Sequence, residues 1–110
     1  MGTKRFLTKI MTDNPQLDSL EVMHNAAEEY FEIRIGQERG VLNYRRSPGK
    51  LVIYHTAVPQ RRERQGLAAR MTKAALEFAR TENLLVEPRC SYTAFYFQRH
   101  PEDSDLLFRR

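Results

Sequence analysis

The chain contains a single cysteine, Cys90, no tryptophan, and only five glycines and five prolines in 110 residues. One cysteine cannot close an intramolecular disulfide. A disulfide-stapled secreted scaffold is therefore excluded, and the cytoplasm is the expected compartment. The three histidines stand far apart, at His24, His55 and His100, so no metal-ligand spacing arises and no metal is expected. No apolar run approaches the roughly 20 residues of a membrane span, and no secretory signal is visible at the start. Met1-Gly2 opens like a myristoylation site, but Phe6 stands where that motif requires serine or threonine. Repeats, linkers and low-complexity tracts are missing as well.

What is present is an ordinary globular composition, 41% hydrophobic and 29% charged. The length fits one domain, expected over residues 20–110 behind a polar extension over residues 1–19 that is broken at Asn14-Pro15. The formal net charge of +4 points to an anionic partner, either nucleic acid or a phosphate-rich cofactor. No recognised nucleic-acid-binding motif accompanies the charge, which leaves the cofactor ahead.

Hydrophobic periodicity divides the chain. Leu20 to His24 reads as a short strand. In Tyr30 to Ile35, Phe31, Ile33 and Ile35 alternate with Glu32 and Arg34, the pattern of a half-buried strand. Val41 to Arg46 and Leu51 to Val58 follow, joined by the turn Ser47-Pro48-Gly49-Lys50. The period then changes. Leu67, Met71, Ala74, Ala75 and Phe78 recur at helical spacing, opposite Arg70, Lys73, Glu77 and Arg80, which predicts a helix over about residues 64–82. Leu84 to Glu87 reads as a fifth strand, parallel to the fourth through a right-handed crossover. Tyr92 to Arg99 is a second, short helix ended by Pro101, and Leu106-Leu107-Phe108 is expected to pack back on the body. The fold class is α/β (α+β): a mixed, mainly antiparallel sheet of about five strands, a βαβ crossover helix and a short C-terminal helix.

This order places His55-Thr56-Ala57-Val58-Pro59 at the end of a strand and Glu63-Arg64-Gln65-Gly66-Leu67-Ala68 at the start of a helix. Free N–H groups, the positive end of the helix dipole and several arginines converge there, as an anion site requires. The carboxyl ends of parallel strands are also where open sheets hold ligands.

At these residues the chain resembles the GNAT-type N-acetyltransferases, whose acetyl-CoA signature has the spacing of Glu63 to Ala68. The resemblance is closer to their very small single-domain members. His55-Thr56-Ala57-Val58-Pro59, Gly66-Leu67-Ala68, Pro88-Arg89-Cys90-Ser91-Tyr92 and His100-Pro101 occur here in that order, and Val22-Met23-His24-Asn25 matches too, over about residues 21–108. The resemblance implies a compact GNAT-like fold that binds acetyl-CoA. Thr56, Ala57 and Val58 would meet the pantetheine arm, and the N–H groups of Gln65, Gly66, Leu67 and Ala68 the pyrophosphate. Arg61, Arg62 and Arg64 would reach the phosphates. Glu63 departs from the signature's arginine or glutamine, and Arg64 stands where the subfamily often has glycine. A carboxylate about 5 Å from a phosphate charge costs about 3 kcal/mol at an effective dielectric near 20. Glu63 must therefore turn outward or pair with an arginine.

Acetyl transfer needs an amine that loses its proton, a stabilised thioester oxygen and a protonated leaving thiolate. The candidate catalytic residues are Cys90, His55 and Tyr96. Cys90 is either an inert buried residue or a nucleophile. His55 is either a base or a strand-end hydrogen-bonding residue, and Tyr96 and Tyr92 are either acids or core packing. His24 and His100 read as structural contacts. Larger GNAT enzymes cover the acceptor with two helices between the first and second strands, whereas Asn25 to Glu29 leaves room only for a turn. By this resemblance the acceptor side is open, which suits an exposed protein or peptide amine, or a CoA binder without catalysis. The resemblance thus implies an acetyl-CoA-dependent N-acetyltransferase working by direct transfer in a ternary complex. The alternatives are a CoA-binding module without catalysis and, further off, a basic nucleic-acid-binding domain.

Overall fold

A computed structural model describes residues 20–109; the expected extension over residues 1–19 lies outside them. Five strands form one sheet in sequential order: β1 (Met23–Asn25), β2 (Tyr30–Ile35), β3 (Glu38–Ser47), β4 (Lys50–Ala57) and β5 (Leu85–Pro88). The first three junctions are antiparallel and β4–β5 is parallel. Between β4 and β5 run a 3₁₀ segment, Gln60–Gln65, and the crossover helix α1, Leu67–Thr81. The short helix α2, Ser91–Arg99, and a 3₁₀ turn, Pro101–Leu106, complete the chain.

The alternation in β2 buries Phe31, Ile33 and Ile35 against α1. Leu42 and Tyr44 of β3, Leu51 and Ile53 of β4 and Val86 of β5 join them. From α1, Leu67, Met71, Ala75, Leu76 and Ala79 complete the core. Each such Leu, Ile or Met burial contributes about 1.5–3 kcal/mol. α2 packs on α1, β4 and β5, burying Tyr96 and Phe97. The alternate strand positions, such as Arg34, Arg45 and His55, stay exposed. The helices therefore cover one face of the sheet and leave the other open. Glu87 is the buried exception on the open side, held by Lys50 at 2.7 Å and Arg89 at 3.1 Å.

Helix α1 begins later than its periodicity predicts. Gly66 takes φ 77°, which ends the 3₁₀ segment and restarts the chain as α-helix at Leu67 rather than Arg64. It ends as expected: Asn83 adopts φ 58°, and the Leu84 N–H reaches back to the Ala79 carbonyl at 2.8 Å. β1 lies three residues later than the apolar run suggests, because its pairing with β2 is set opposite Tyr30 to Glu32. At the tail, Leu107 bridges Val86 and the Phe108 N–H donates to the Val86 carbonyl at 2.8 Å. No helix among the described residues is long and apolar enough to cross a membrane.

Candidate functional site

β4 and β5 part company halfway. Their ladder ends with Ile53 opposite Pro88, and its last link is the Arg89 N–H donating to the Ile53 carbonyl at 2.9 Å. β4 continues to Ala57 on β3 alone. Over Tyr54 to Ala57, the edge facing β5 has no strand partner among the described residues. Two local features open this fork. After Pro88 and Arg89 the second strand turns into α2. In β4, Tyr44 pairs with Ile53 but Asn43 pairs with His55, so Tyr54 is the extra residue of a bulge. A bulge bends its strand and sharpens the twist.

The bulge also decides where side chains go. Ile53 and Thr56 lie opposite the buried Tyr44 and Leu42 and share their face. Tyr54 and His55, which are consecutive, both fall to the open side. His55 accordingly stands on the exposed face opposite Asn43, and Thr56 on the face that carries the helices.

Thr56, Ala57 and Val58 line a cleft of about 450 Å³ together with Glu63, Ala68 and Tyr92. The amino end of α1 opens on this cleft without a side-chain cap, so its first-turn N–H groups have no intrahelical partner. A Cβ built on Gly66 meets nothing within 4 Å. Glycine is needed there for the positive φ, and the space beside it is free.

Two of the three arginines expected to reach the phosphates are engaged within the protein. Arg61 and Arg62 both pair with Glu38, at 2.8 and 2.7 Å, and Arg62 also donates to the Gln65 side chain at 3.3 Å. Arg61 and Arg62 hold the Glu38 carboxyl below its ordinary range. Arg64 is exposed and forms no ion pair among the described residues. Of the two arrangements expected for Glu63, pairing with an arginine is not formed among those residues; its side chain is exposed at the edge of the cleft.

Cys90 immediately precedes α2, at the mouth of the fork, where its thiol donates to the Thr56 hydroxyl at 3.7 Å. Burial alone would push the thiol up. The Thr93 N–H, the Thr56 hydroxyl, the Tyr92 N–H and the Thr93 hydroxyl outweigh it and bring the group below its ordinary 9.0. Those two amides belong to the first turn of α2, a place that favours an anion. The Thr93 hydroxyl oxygen is sealed from solvent and makes no full hydrogen bond among the described residues. A neutral thiol is a weak acceptor, whereas a thiolate is a strong one. The Thr93 hydroxyl can therefore support the thiolate more than the thiol. Its place was readable as the third residue after Cys90, but its isolation was not.

Tyr96 is not in the fork. It is buried against α1, stacked on His100 with ring centroids 4.0 Å apart. It lines a separate cleft with Lys73, Glu77 and Arg80. Burial raises its phenol above the ordinary 10.0. Tyr92 is the tyrosine that reaches the fork, and burial raises its phenol too. His100 lies 3.1 Å from a Glu102 oxygen, a helix-end contact. His24 stacks on Phe31 at 4.0 Å and shares a 2.6 Å hydrogen bond with the Tyr44 hydroxyl, which makes it part of an aromatic cluster.

Comparison with known proteins agrees with the geometry. A family model described as GCN5-related N-acetyl-transferase matches residues 30–106. Protein NATD1 of Xenopus tropicalis is 31% identical over 86 residues, covering 76% of this chain and 79% of that protein. Protein NATD1 of Homo sapiens is 31% identical over 85 residues, 74% of this chain and 75% of that protein. The Bos taurus protein of the same name is 29% identical over 85 residues, with the same two coverages.

Proposed function

The chain belongs to the GCN5-related N-acetyl-transferase family, and from that premise we propose that it transfers an acetyl group from acetyl-CoA to an exposed amine of a protein or peptide. One observation carries the reading: the unpaired edge of β4 over Tyr54 to Ala57 and the uncapped start of α1 open on the same cleft. An amide-bearing arm can pair with the free edge as an added strand does. Gln65, Gly66, Leu67 and Ala68 offer backbone donors for a pyrophosphate. Acetyl-CoA supplies the activated acyl group and the thiolate leaving group.

The chain's own residues divide the remaining work by face. His55, on the open side, is placed to take the proton of an incoming amine. Cys90 and Thr56 stand across the fork, on the helix side. The lowered thiol of Cys90 favours a second reading, in which its sulfur first takes the acyl group. The Sγ–acyl bond forms as the donor's C–S bond breaks, and the amine then displaces Sγ. In direct transfer Cys90 only lines the site. Tyr96 is assigned no role in either route, since it faces the other cleft.

Acetyl-CoA at a hundred times its Kd should stabilise the protein by about 2.7 kcal/mol. Absence of any thermal shift at millimolar ligand would remove the proposal. Thiol release with lysine peptides separates transferase from mere binder. Cys90→Ala with unchanged turnover supports direct transfer. Its loss, together with an acetyl adduct on the native chain, supports the cysteine route.

A further inference from the structure

The open face of the sheet carries an unusual arrangement of charge. Its buried carboxylate, Glu87, and its half-buried one, Glu32, are already engaged. Glu32 is held by Arg39 and Arg34, and Glu87 by Lys50 and Arg89. Arg45 differs. It is exposed and has no carboxylate partner among the described residues. Its guanidinium lies over the ring of Tyr54, 5.6 Å from the centroid. Tyr54 is 47% exposed, and it is the extra residue of the β4 bulge. The bulge thus sets an aromatic platform beside His55 and brings the cation toward the fork. A cation stacked on a ring is pre-oriented, so less side-chain entropy is lost when it meets an anion.

Asn43 occupies the same face, opposite His55 and two residues from Arg45. Strand residues two apart stand about 7 Å from each other. That is the span of about two residues in an extended peptide. An amine at His55 therefore leaves a neighbouring residue of the same chain over Tyr54 and Arg45.

We infer that this patch is an acceptor subsite for acidic sequence. The protein then selects peptide amines flanked within about two residues by aspartate or glutamate, with Arg45 as the specificity-determining residue and Tyr54 as the platform that positions it. The inference rests on the transferase reading above, because it takes His55 as the amine's place.

The test uses lysine peptides flanked either by aspartates or by lysines. Acetylation is followed by thiol release, and binding to the CoA-loaded protein by fluorescence anisotropy. The acidic peptide should show kcat/KM and affinity at least about fivefold higher, a margin that shrinks with salt. Arg45→Glu should reverse the preference and Arg45→Lys retain part of it, while both variants keep the thermal shift with acetyl-CoA. Equal use of the two peptides, or a preference unchanged in Arg45→Glu, overturns the subsite and leaves the transferase reading standing. Selective, Arg45-dependent binding of the acidic peptide without turnover of any peptide supports the subsite and overturns the transferase reading. Absence of selective binding together with absence of turnover overturns both.

Discussion

Replacing Thr93 by valine should make the protein more stable and its cysteine less reactive. The substitution keeps the shape of a fully buried side chain and deletes a hydroxyl oxygen that makes no full hydrogen bond among the described residues. An unsatisfied buried polar group costs about 1–3 kcal/mol, and the added methyl contributes about 0.8 kcal/mol when buried. A net gain of about 2–4 kcal/mol follows while Cys90 is a thiol. For a domain of this size each kcal/mol moves Tm by about 4–8 °C. The sign depends on pH. The folded thiol titrates below 9.0, so its contribution to stability is fully present above 9.0 and is lost as pH falls through the lower folded value. Valine removes one of the donors that hold the thiolate, so the gain in Tm should shrink as pH rises past the thiol's titration. Iodoacetamide reports the same event directly, because Cys90 is the only cysteine. In Thr93→Val the pH midpoint of its alkylation should rise. A variant less stable than the parent at neutral pH would show that the hydroxyl has a partner. An unmoved alkylation midpoint would show that Thr93 does not support the thiolate.

Gly66→Ala should lose about 1–2 kcal/mol, the cost of a left-handed residue with a Cβ, and lower the thermal shift with acetyl-CoA; urea melts with and without ligand read both, and an undiminished shift contradicts the loop's role. Glu38→Gln releases Arg61 and Arg62, which immediately precede Glu63 of the cleft in the chain, so acetyl-CoA affinity should rise and depend more steeply on salt; calorimetric titration at two ionic strengths decides this. The carboxyls of Glu32 and Asp105 are lowered, chiefly by hydrogen bonds from Arg39 and Arg80 respectively. The stability they lend is present above 4.5 and 3.8 and is lost as pH falls through their lower folded values. Urea melts of Arg80→Ala should therefore show a shallower loss of stability on acidification than the parent.

The parts of the fold that were legible in the sequence are those where one face is buried. Phe31, Ile33 and Ile35 name their strand because burial enforces a period of two. Leu67, Met71 and Ala75 name their helix in the same way. Its start was misjudged because Gln60 to Gln65 is a polar run that suits a helix, and only the positive φ at Gly66 separates it from α1. The bulge left no trace, since Ile53 and Tyr54 are equally good strand residues and only the register with β3 makes Tyr54 the extra one. Because the bulge was hidden, so was the assignment of His55 and Thr56 to opposite faces. The pairing of Arg61 and Arg62 with Glu38 spans 23 and 24 positions along the chain, beyond any local pattern. Cys90 follows closely on the fifth strand, as its place after Pro88 in the chain suggests. The cleft that Tyr96 faces was not legible, because its side of α2 depends on how that helix meets α1.

The fork has one further consequence, for how the protein behaves when concentrated. A strand edge with unpaired N–H and C=O groups is a template for any other extended chain, including a second copy of itself. Val52 and Ile53 lead into that edge, and no charged side chain lies between Lys50 and Ala57 to repel a neighbour. The molecule without ligand is then the form prone to edge-to-edge aggregation. Under the proposed function, a ligand arm paired with β4 would shield that edge.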